Sequence, residues 1–138
     1  MSRCHLVILK KPYVDAILAG KKTVESRFYR TKRPEYQQIQ PGDRLLLKIS
    51  SGPVCASAVA EKVEKFEGLT PQKLAEIYKQ YNHLILGEKP YWRSKINSRF
   101  GFLVWLRNVR AIEPRMIHKK DWRAWVVLSE KQNFGLLP

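Results

Sequence analysis

The chain has 138 residues, of which 26 are Lys or Arg and 12 are Asp or Glu, so its formal net charge is +14. This length fits one domain over residues 1–138, and an apolar content of 44% is too high for a disordered chain. No apolar run approaches the roughly 18 residues of a transmembrane helix, and residues 1–5 lack the apolar stretch of a secretory signal, so we expect a cytoplasmic protein. Two cysteines, Cys4 and Cys55, are too few for a disulfide framework. Together with the three His residues, they also lack the spacing of zinc-finger ligands. We expect no metal and no cofactor.

The positive charge is unevenly distributed along the chain. Residues 1–50 contain 11 basic and 4 acidic side chains and residues 89–123 contain 10 and 2, whereas residues 51–88 contain 4 and 5. An excess of this size favours a polyanionic partner, with nucleic acid first and an acidic membrane second. The sequence leaves open whether the fold unites the two basic blocks into one positive face or spreads them over a solvated surface.

The first third of the chain alternates short apolar runs with one helical pattern. A strand is expected at residues 6–10, followed by a helix that begins at Pro12 and ends at Gly20. Residues 23–29 alternate as a strand does, and residues 30–42 have the composition of a loop.

The remaining elements follow the turn formed by Pro41, Gly42 and Asp43. Strands are expected at residues 44–50 and 54–66, and the second is long enough that a bend is expected. A helix begins at Thr70 and Pro71, and the basic and aromatic residues 91–99 suggest a short helix. A central strand at 100–112 and a short strand at 124–128 complete the chain.

The order of these elements indicates the fold class. The strands are short and joined by turns, and helices do not alternate regularly with them, which argues against a doubly wound parallel sheet. The pattern instead predicts an α+β fold in which a small, mostly antiparallel sheet or barrel has helices packed at its ends.

One charged motif lies where the first helix meets the second strand. Residues 20–27 read G-x-K-x-x-E-x-R, with Lys22, Glu25 and Arg27 as its charged positions. Glu25 and Arg27 have the same parity and therefore share a strand face. The two cations suit phosphate, and the carboxylate suits a positioning or proton-accepting role. The alternatives are a solvated Lys at a helix end and a structural ion pair.

This motif and its setting resemble the ASCH domain family, which is related to the PUA RNA-binding domain. The resemblance includes the first strand, the helix that begins at Pro12, the turn at residues 41–43 and the strand around residues 102–106. It implies a PUA-like, mostly antiparallel β-barrel of five or six strands with two or three flanking helices. It also implies a basic cleft, lined by the motif, that binds RNA or other single-stranded nucleic acid rather than a membrane.

Some members of that family are enzymes, which leaves a second possibility. One branch resembles an amidohydrolase of the modified nucleoside N4-acetylcytidine that uses the motif Lys as a base and has Thr at the position of Glu25. Another relative is a ribonuclease. If this chain is an enzyme, Lys22 and Glu25 are its candidate catalytic residues. A third possibility is a protein-interaction module of a transcription or translation complex, in which the charge only affects solubility.

A second candidate surface comes from the segment in which aromatic and basic residues interleave. Such a surface can stack on unpaired bases, with each stack contributing about 1–3 kcal/mol, while its cations neutralise phosphates. The alternative is that Tyr91 and Trp92 close one end of the barrel. The candidate nucleic-acid-binding residues are Lys11, Lys21, Lys22, Arg27, Lys48, Ser50, Tyr91, Trp92, Arg93, Lys95, Arg99 and Arg107.

Overall fold

A six-stranded sheet and four helices make up the computed structural model, which describes residues 2–119 and 121–137. The strands are β1 (Cys4–Leu9), β2 (Val24–Tyr29), β3 (Arg44–Ile49), β4 (Val54–Glu67), β5 (Phe100–Arg115) and β6 (Trp125–Val127). The helices are α1 (Lys11–Leu18), α2 (Pro34–Gln38), α3 (Pro71–Ile85) and α4 (Lys89–Ser94). None of the helices in the described part has the length and apolar character to cross a bilayer.

The strand order across the sheet is β2-β5-β4-β3-β1-β6. Only the β1–β3 pair is parallel among the described strands, which confirms the expected α+β class and the mostly antiparallel sheet. The long β4–β5 ladder contains three shifts of register, and such irregularities increase twist and bend a strand. The sheet therefore curls into a half-barrel whose edges, β2 and β6, are not paired with each other in the described part of the chain.

Strand β2 is covered on both of its faces. Val24 and Phe28 pack against α3 and α4 in a cluster that includes Leu74 and Trp92. The opposite face has the other parity, and there the Arg27 guanidinium lies 5.3 Å from the centroid of the Trp125 ring. The expected sharing of one face by Glu25 and Arg27 is confirmed by their direct contact.

One local expectation is wrong. Residues 34–38 form α2 rather than part of a loop, and the described residues contain four helices in all. Pro34 begins α2 and Tyr36 is buried in the core. In β3, Leu46 is buried as well, because Val126 and the C-terminal segment cover that side of the sheet.

Candidate functional site

The motif begins at the turn that joins α1 to β2. Gly20 has a φ of +76°, in the left-handed region that glycine adopts at little cost. The N–H groups of Lys21 and Lys22 then both donate to the carbonyl of Ala16. This turn directs the Lys22 side chain beneath the end of α3.

Lys22 is buried, with only 3% of its surface exposed. Its Nζ donates to the carbonyl oxygens of Ile85 at 2.6 Å and Val24 at 3.0 Å, and lies 3.2 Å from Oε1 of Glu25. Each of the three ammonium hydrogens thus has an acceptor. The reading of Lys22 as a solvated residue at a helix end is therefore wrong, because this cation joins β2 to the carbonyl end of α3.

Glu25 lies between the two cations of the motif. Its Oε2 accepts from Nε and Nη2 of Arg27 at 3.2 and 2.9 Å, and its Oε1 accepts from the N–H of Ser26 at 3.1 Å. Burial raises the pKa of the Glu25 carboxyl, but the charges of Lys22 and Arg27 outweigh it and hold the pKa below its usual range. We call these three residues the motif cluster; it has one carboxylate and two cations and so a net positive charge.

Arg27 also spans the open side of the half-barrel. Its Nη2 donates to the carbonyl of Ile8 at 3.0 Å, and its Nη1 makes a longer contact of 3.4 Å with the carbonyl of Ala124. The guanidinium, which also contacts the Trp125 ring, therefore links the edge strand β2 to β1 and to the segment before β6.

A cleft of about 540 Å³ opens above the motif cluster, between α1 and α4. We call it the motif cleft. Tyr13 of α1 and Tyr91 of α4 line it, and the Tyr91 hydroxyl contacts Oγ of Ser26 at 2.8 Å and donates to its carbonyl at 3.1 Å. Lys10 and Lys95 line it as well, and Nζ of Lys95 lies 5.5 Å from the centroid of the Tyr91 ring. Burial and the nearby Arg27 charge lower the pKa of Lys95.

The structure brings part of the predicted set together in this cleft. The candidates that line it are Lys22, Glu25, Arg27, Tyr91 and Lys95. Those that do not are Lys11, Lys21, Lys48, Ser50, Trp92, Arg93, Arg99 and Arg107.

Several of these outlying candidates have other partners. Lys11 pairs with Asp15 on the surface of α1 at 2.8 Å. Trp92 is buried against α3 and donates to Oδ1 of Asn82. Arg99 donates to the carbonyl of Leu69 at 3.3 Å.

Tyr13 is a cleft residue that sequence reasoning missed. It lies in the first turn of α1, off the apolar stripe of Val14 and Ile17, and its ring centroid is 5.3 Å from Nζ of Lys22. An aromatic residue off the core face of the helix that leads into the motif is the signal that could have identified it. Within residues 2–119 and 121–137, no three His, Cys, Asp or Glu side chains are grouped so as to hold a metal ion.

The curled sheet, its flanking helices and the cleft at its open side define a small α+β domain. The sequence matches the ASCH domain over residues 7–130, and the chain belongs to this family.

Known structures share this fold. The ASCH protein of Zymomonas mobilis superposes with a TM-score of 0.71 at 16% identity, over 94% of this chain and 90% of that chain. A serine-to-alanine variant of the same protein gives 0.72 at 17% identity, over 94% and 91%. The N-terminal domain of Staphylothermus marinus McrB gives 0.52 at 14%, over 83% and 77%. No curated protein matches this sequence.

Proposed function

We propose that this domain binds single-stranded nucleic acid, RNA in particular, and that the motif cleft receives one unpaired nucleotide. The observation that supports this most directly is that aromatic walls adjoin amines that have no hydrogen-bond acceptor within residues 2–119 and 121–137, around a positively charged floor. Tyr13 and Tyr91 supply the rings, and Lys10 and Lys95 supply the amines. Membership of the ASCH family, which resembles the PUA RNA-binding domain, is consistent with such a role.

The cleft has the size and chemistry that a base requires. Its volume of about 540 Å³ is within the range of pockets that enclose a small organic group. A base can stack on a tyrosine ring whatever its sequence, which suits a binder of unpaired strands. Duplexes keep their bases stacked inside, so we expect them to bind more weakly than single strands.

The amines at the cleft are available for phosphate. In the described part of the chain, neither Nζ of Lys10 nor Nζ of Lys95 has a hydrogen-bond acceptor, whereas Nζ of Lys22 has three. A phosphate beside Lys95 would favour the charged amine, whose pKa burial otherwise lowers. In this proposal Lys22 stabilises the floor of the motif cleft, and Lys10 and Lys95 contact the phosphates of the nucleic-acid strand.

The enzyme alternative receives less support from this geometry. A general base needs a free lone pair that is aimed at the reacting group, but the Lys22 ammonium donates to two carbonyls and Glu25. Glu25 is a weak base, because its neighbours hold the pKa of its carboxyl low.

The test is fluorescence anisotropy with a labelled 12-nucleotide single-stranded RNA, the DNA of the same sequence and the RNA duplex. The test variant is Lys10→Ala/Lys95→Ala, and the matched control is Lys73→Ala/Lys79→Ala, whose residues lie on α3 outside the cleft. We expect the test variant to weaken RNA binding at least about tenfold and to reduce the salt dependence by about 1.4 in log–log slope, because two phosphate contacts are lost. The control should change the affinity less than twofold.

Two results would contradict the proposal. Equal losses in the test and control variants would mean that only the overall charge attracts RNA. Cleavage of the RNA by the wild-type protein, lost in Lys22→Met, would instead favour the enzyme.

A further inference from the structure

A second cleft lies beside the motif cleft, and nothing in the sequence motif points to it. It has a volume of about 540 Å³ and is lined by Arg3, Arg33 and Arg123 together with residues of α2 and β6. We call it the arginine cleft. Glu35 is the carboxylate among its lining residues, and it is only 6% exposed.

The two clefts share a thin wall. Ala124 lines the motif cleft, and its chain neighbours Arg123 and Trp125 line the arginine cleft. Across this wall, Arg27 of the motif cleft lies over the ring of Trp125. Positively charged side chains therefore lie on both sides of this wall.

A second contact joins the clefts on the side of β2. The Arg33 guanidinium carbon lies 5.8 Å from the centroid of the Tyr29 ring, and Tyr29 lines the motif cleft. Both basic blocks of the sequence contribute to each cleft, since Lys10 and Lys95 meet in one and Arg3 and Arg123 meet in the other.

The three arginines differ in how far they are already paired. Arg123 donates to Asp121 at 2.7 Å, and the same carboxylate also accepts from Lys119. Arg3 makes one long contact, 3.4 Å, with the carbonyl of Gln38, and Arg33 has no carboxylate or carbonyl partner among the described residues. Arg3 and Arg33 therefore retain the donors that can bind a phosphate with two parallel hydrogen bonds.

We propose that a single strand whose unpaired nucleotide enters the motif cleft continues over Ala124 into the arginine cleft, where neighbouring phosphates bind Arg3 and Arg33. This inference rests on the proposed function and extends it, because it assigns the binding site more than one nucleotide and gives the strand a course. The partner is thus an oligonucleotide segment rather than a free nucleoside.

The test compares a long and a minimal ligand on the same variants. The probes are a labelled 9-nucleotide oligouridylate, followed by fluorescence anisotropy at several salt concentrations, and uridine monophosphate, followed by NMR. The variant is Arg3→Ala/Arg33→Ala, and the matched control is Arg110→Ala/Arg115→Ala on β5, whose residues line neither cleft. Thermal unfolding checks that each variant is folded, and Arg3→Lys/Arg33→Lys keeps the charge without the paired donors.

We expect Arg3→Ala/Arg33→Ala to bind the 9-mer at least about tenfold more weakly, with a log–log salt slope reduced by about 1.4, while binding uridine monophosphate unchanged. The Lys variant should recover the slope but only part of the affinity. An unchanged 9-mer affinity, or an equal loss in the control, would overturn the inference.

The outcomes also separate this inference from the proposed function. If Lys10→Ala/Lys95→Ala weakens the 9-mer and Arg3→Ala/Arg33→Ala does not, the nucleotide cleft stands and the continuation is wrong. If only the arginine variant weakens the 9-mer, the nucleotide cleft is wrong, and so is a strand course that starts from it.

Discussion

Two buried polar clusters lie on either side of Trp125, and they are built differently. On one side is the motif cluster of Lys22, Glu25 and Arg27, in which opposite charges pair directly. On the other side the indole N–H of Trp125 donates to Nδ1 of His5 at 2.9 Å, and Nε2 of His5 contacts Oδ2 of Asp43 at 2.8 Å. We call this second group the sealed cluster.

The tautomer of His5 follows from these contacts. Because Nδ1 accepts a hydrogen bond, the proton of the neutral ring is on Nε2, which donates to Asp43. Burial lowers the pKa of His5, and the Asp43 carboxylate offsets this only in part. The sealed cluster therefore holds a neutral imidazole, whereas the motif cluster holds three charged groups.

The difference teaches that a buried polar group does not by itself identify a binding site. His5 and Asp43 line neither cleft, although both are almost fully buried. All three members of the motif cluster line the motif cleft. The two clusters therefore differ in that the motif cluster adjoins a cleft, whereas His5 and Asp43 line neither of the two clefts.

The largest effect is expected from breaking the motif cluster at its carboxylate. Glu25→Gln leaves Lys22 and Arg27 buried without a counter-charge, and we expect a loss of about 3–5 kcal/mol in the free energy of unfolding, measured by urea denaturation. Glu67→Gln is the matched control, because Glu67 is exposed and pairs with Lys32 at 3.9 Å. The control should change stability by less than about 1 kcal/mol. Equal effects of the two variants would show that the buried cluster contributes no more than a surface pair.

The sealed cluster should respond to pH. Folded His5 resists protonation, whereas the unfolded chain takes up the proton near a pKa of about 6.5. The free energy of unfolding should therefore fall as the pH drops below about 6.5, by up to about 1.4 kcal/mol per pH unit. His5→Gln should flatten this dependence between pH 6.5 and 5, while His83→Gln on exposed α3 should preserve it. A slope that survives in His5→Gln would place the titrating group elsewhere.

The smallest change in the free energy of unfolding is expected from two tyrosines beside the motif cluster, whose hydroxyl groups differ in their hydrogen bonds. The Tyr91 hydroxyl contacts Ser26, whereas the buried Tyr29 hydroxyl is near the Glu35 carboxylate but has no partner at hydrogen-bond distance among the described residues. We expect Tyr91→Phe to lower the free energy of unfolding by about 1 kcal/mol and Tyr29→Phe to leave it unchanged or raise it slightly. Thermal and urea unfolding of the pair measure this. The reverse order would mean that the hydroxyl of Tyr29 has a partner in solution.

Most of the fold follows from local signals in the sequence. Alternation at residues 44–50 predicts β3, and the prolines at positions 12 and 71 predict α1 and α3, each to within a few residues, because these patterns depend on near neighbours. The five-residue α2 was missed because its composition is that of a loop and its stability comes from burial of Tyr36. Leu46 is buried by the C-terminal segment, which is distant in sequence. No pattern among the neighbours of Leu46 could therefore predict this burial.

The candidate site was less accessible to sequence reasoning than the fold. The motif spacing correctly implied that Glu25 and Arg27 share a strand face, since alternation along a strand determines this. It did not indicate that Ile85, 63 residues away, would accept a hydrogen bond from Lys22. The arginine cleft forms because the order of the strands in the sheet brings Arg3, Arg33 and Arg123 together. These residues are far apart in sequence, so no local pattern could predict the cleft.

The most direct test of the proposed binding site is to map where a single strand contacts the protein. Uniformly ¹⁵N-labelled protein would be titrated with an unlabelled 9-nucleotide single-stranded RNA and followed by two-dimensional NMR of the backbone amides. We predict the largest shifts at residues 10–13, 25–29 and 91–95, which surround the motif cleft. Shifts confined to the outer face of α3 or to residues 107–115 of β5, with the cleft amides unmoved, would contradict the proposal.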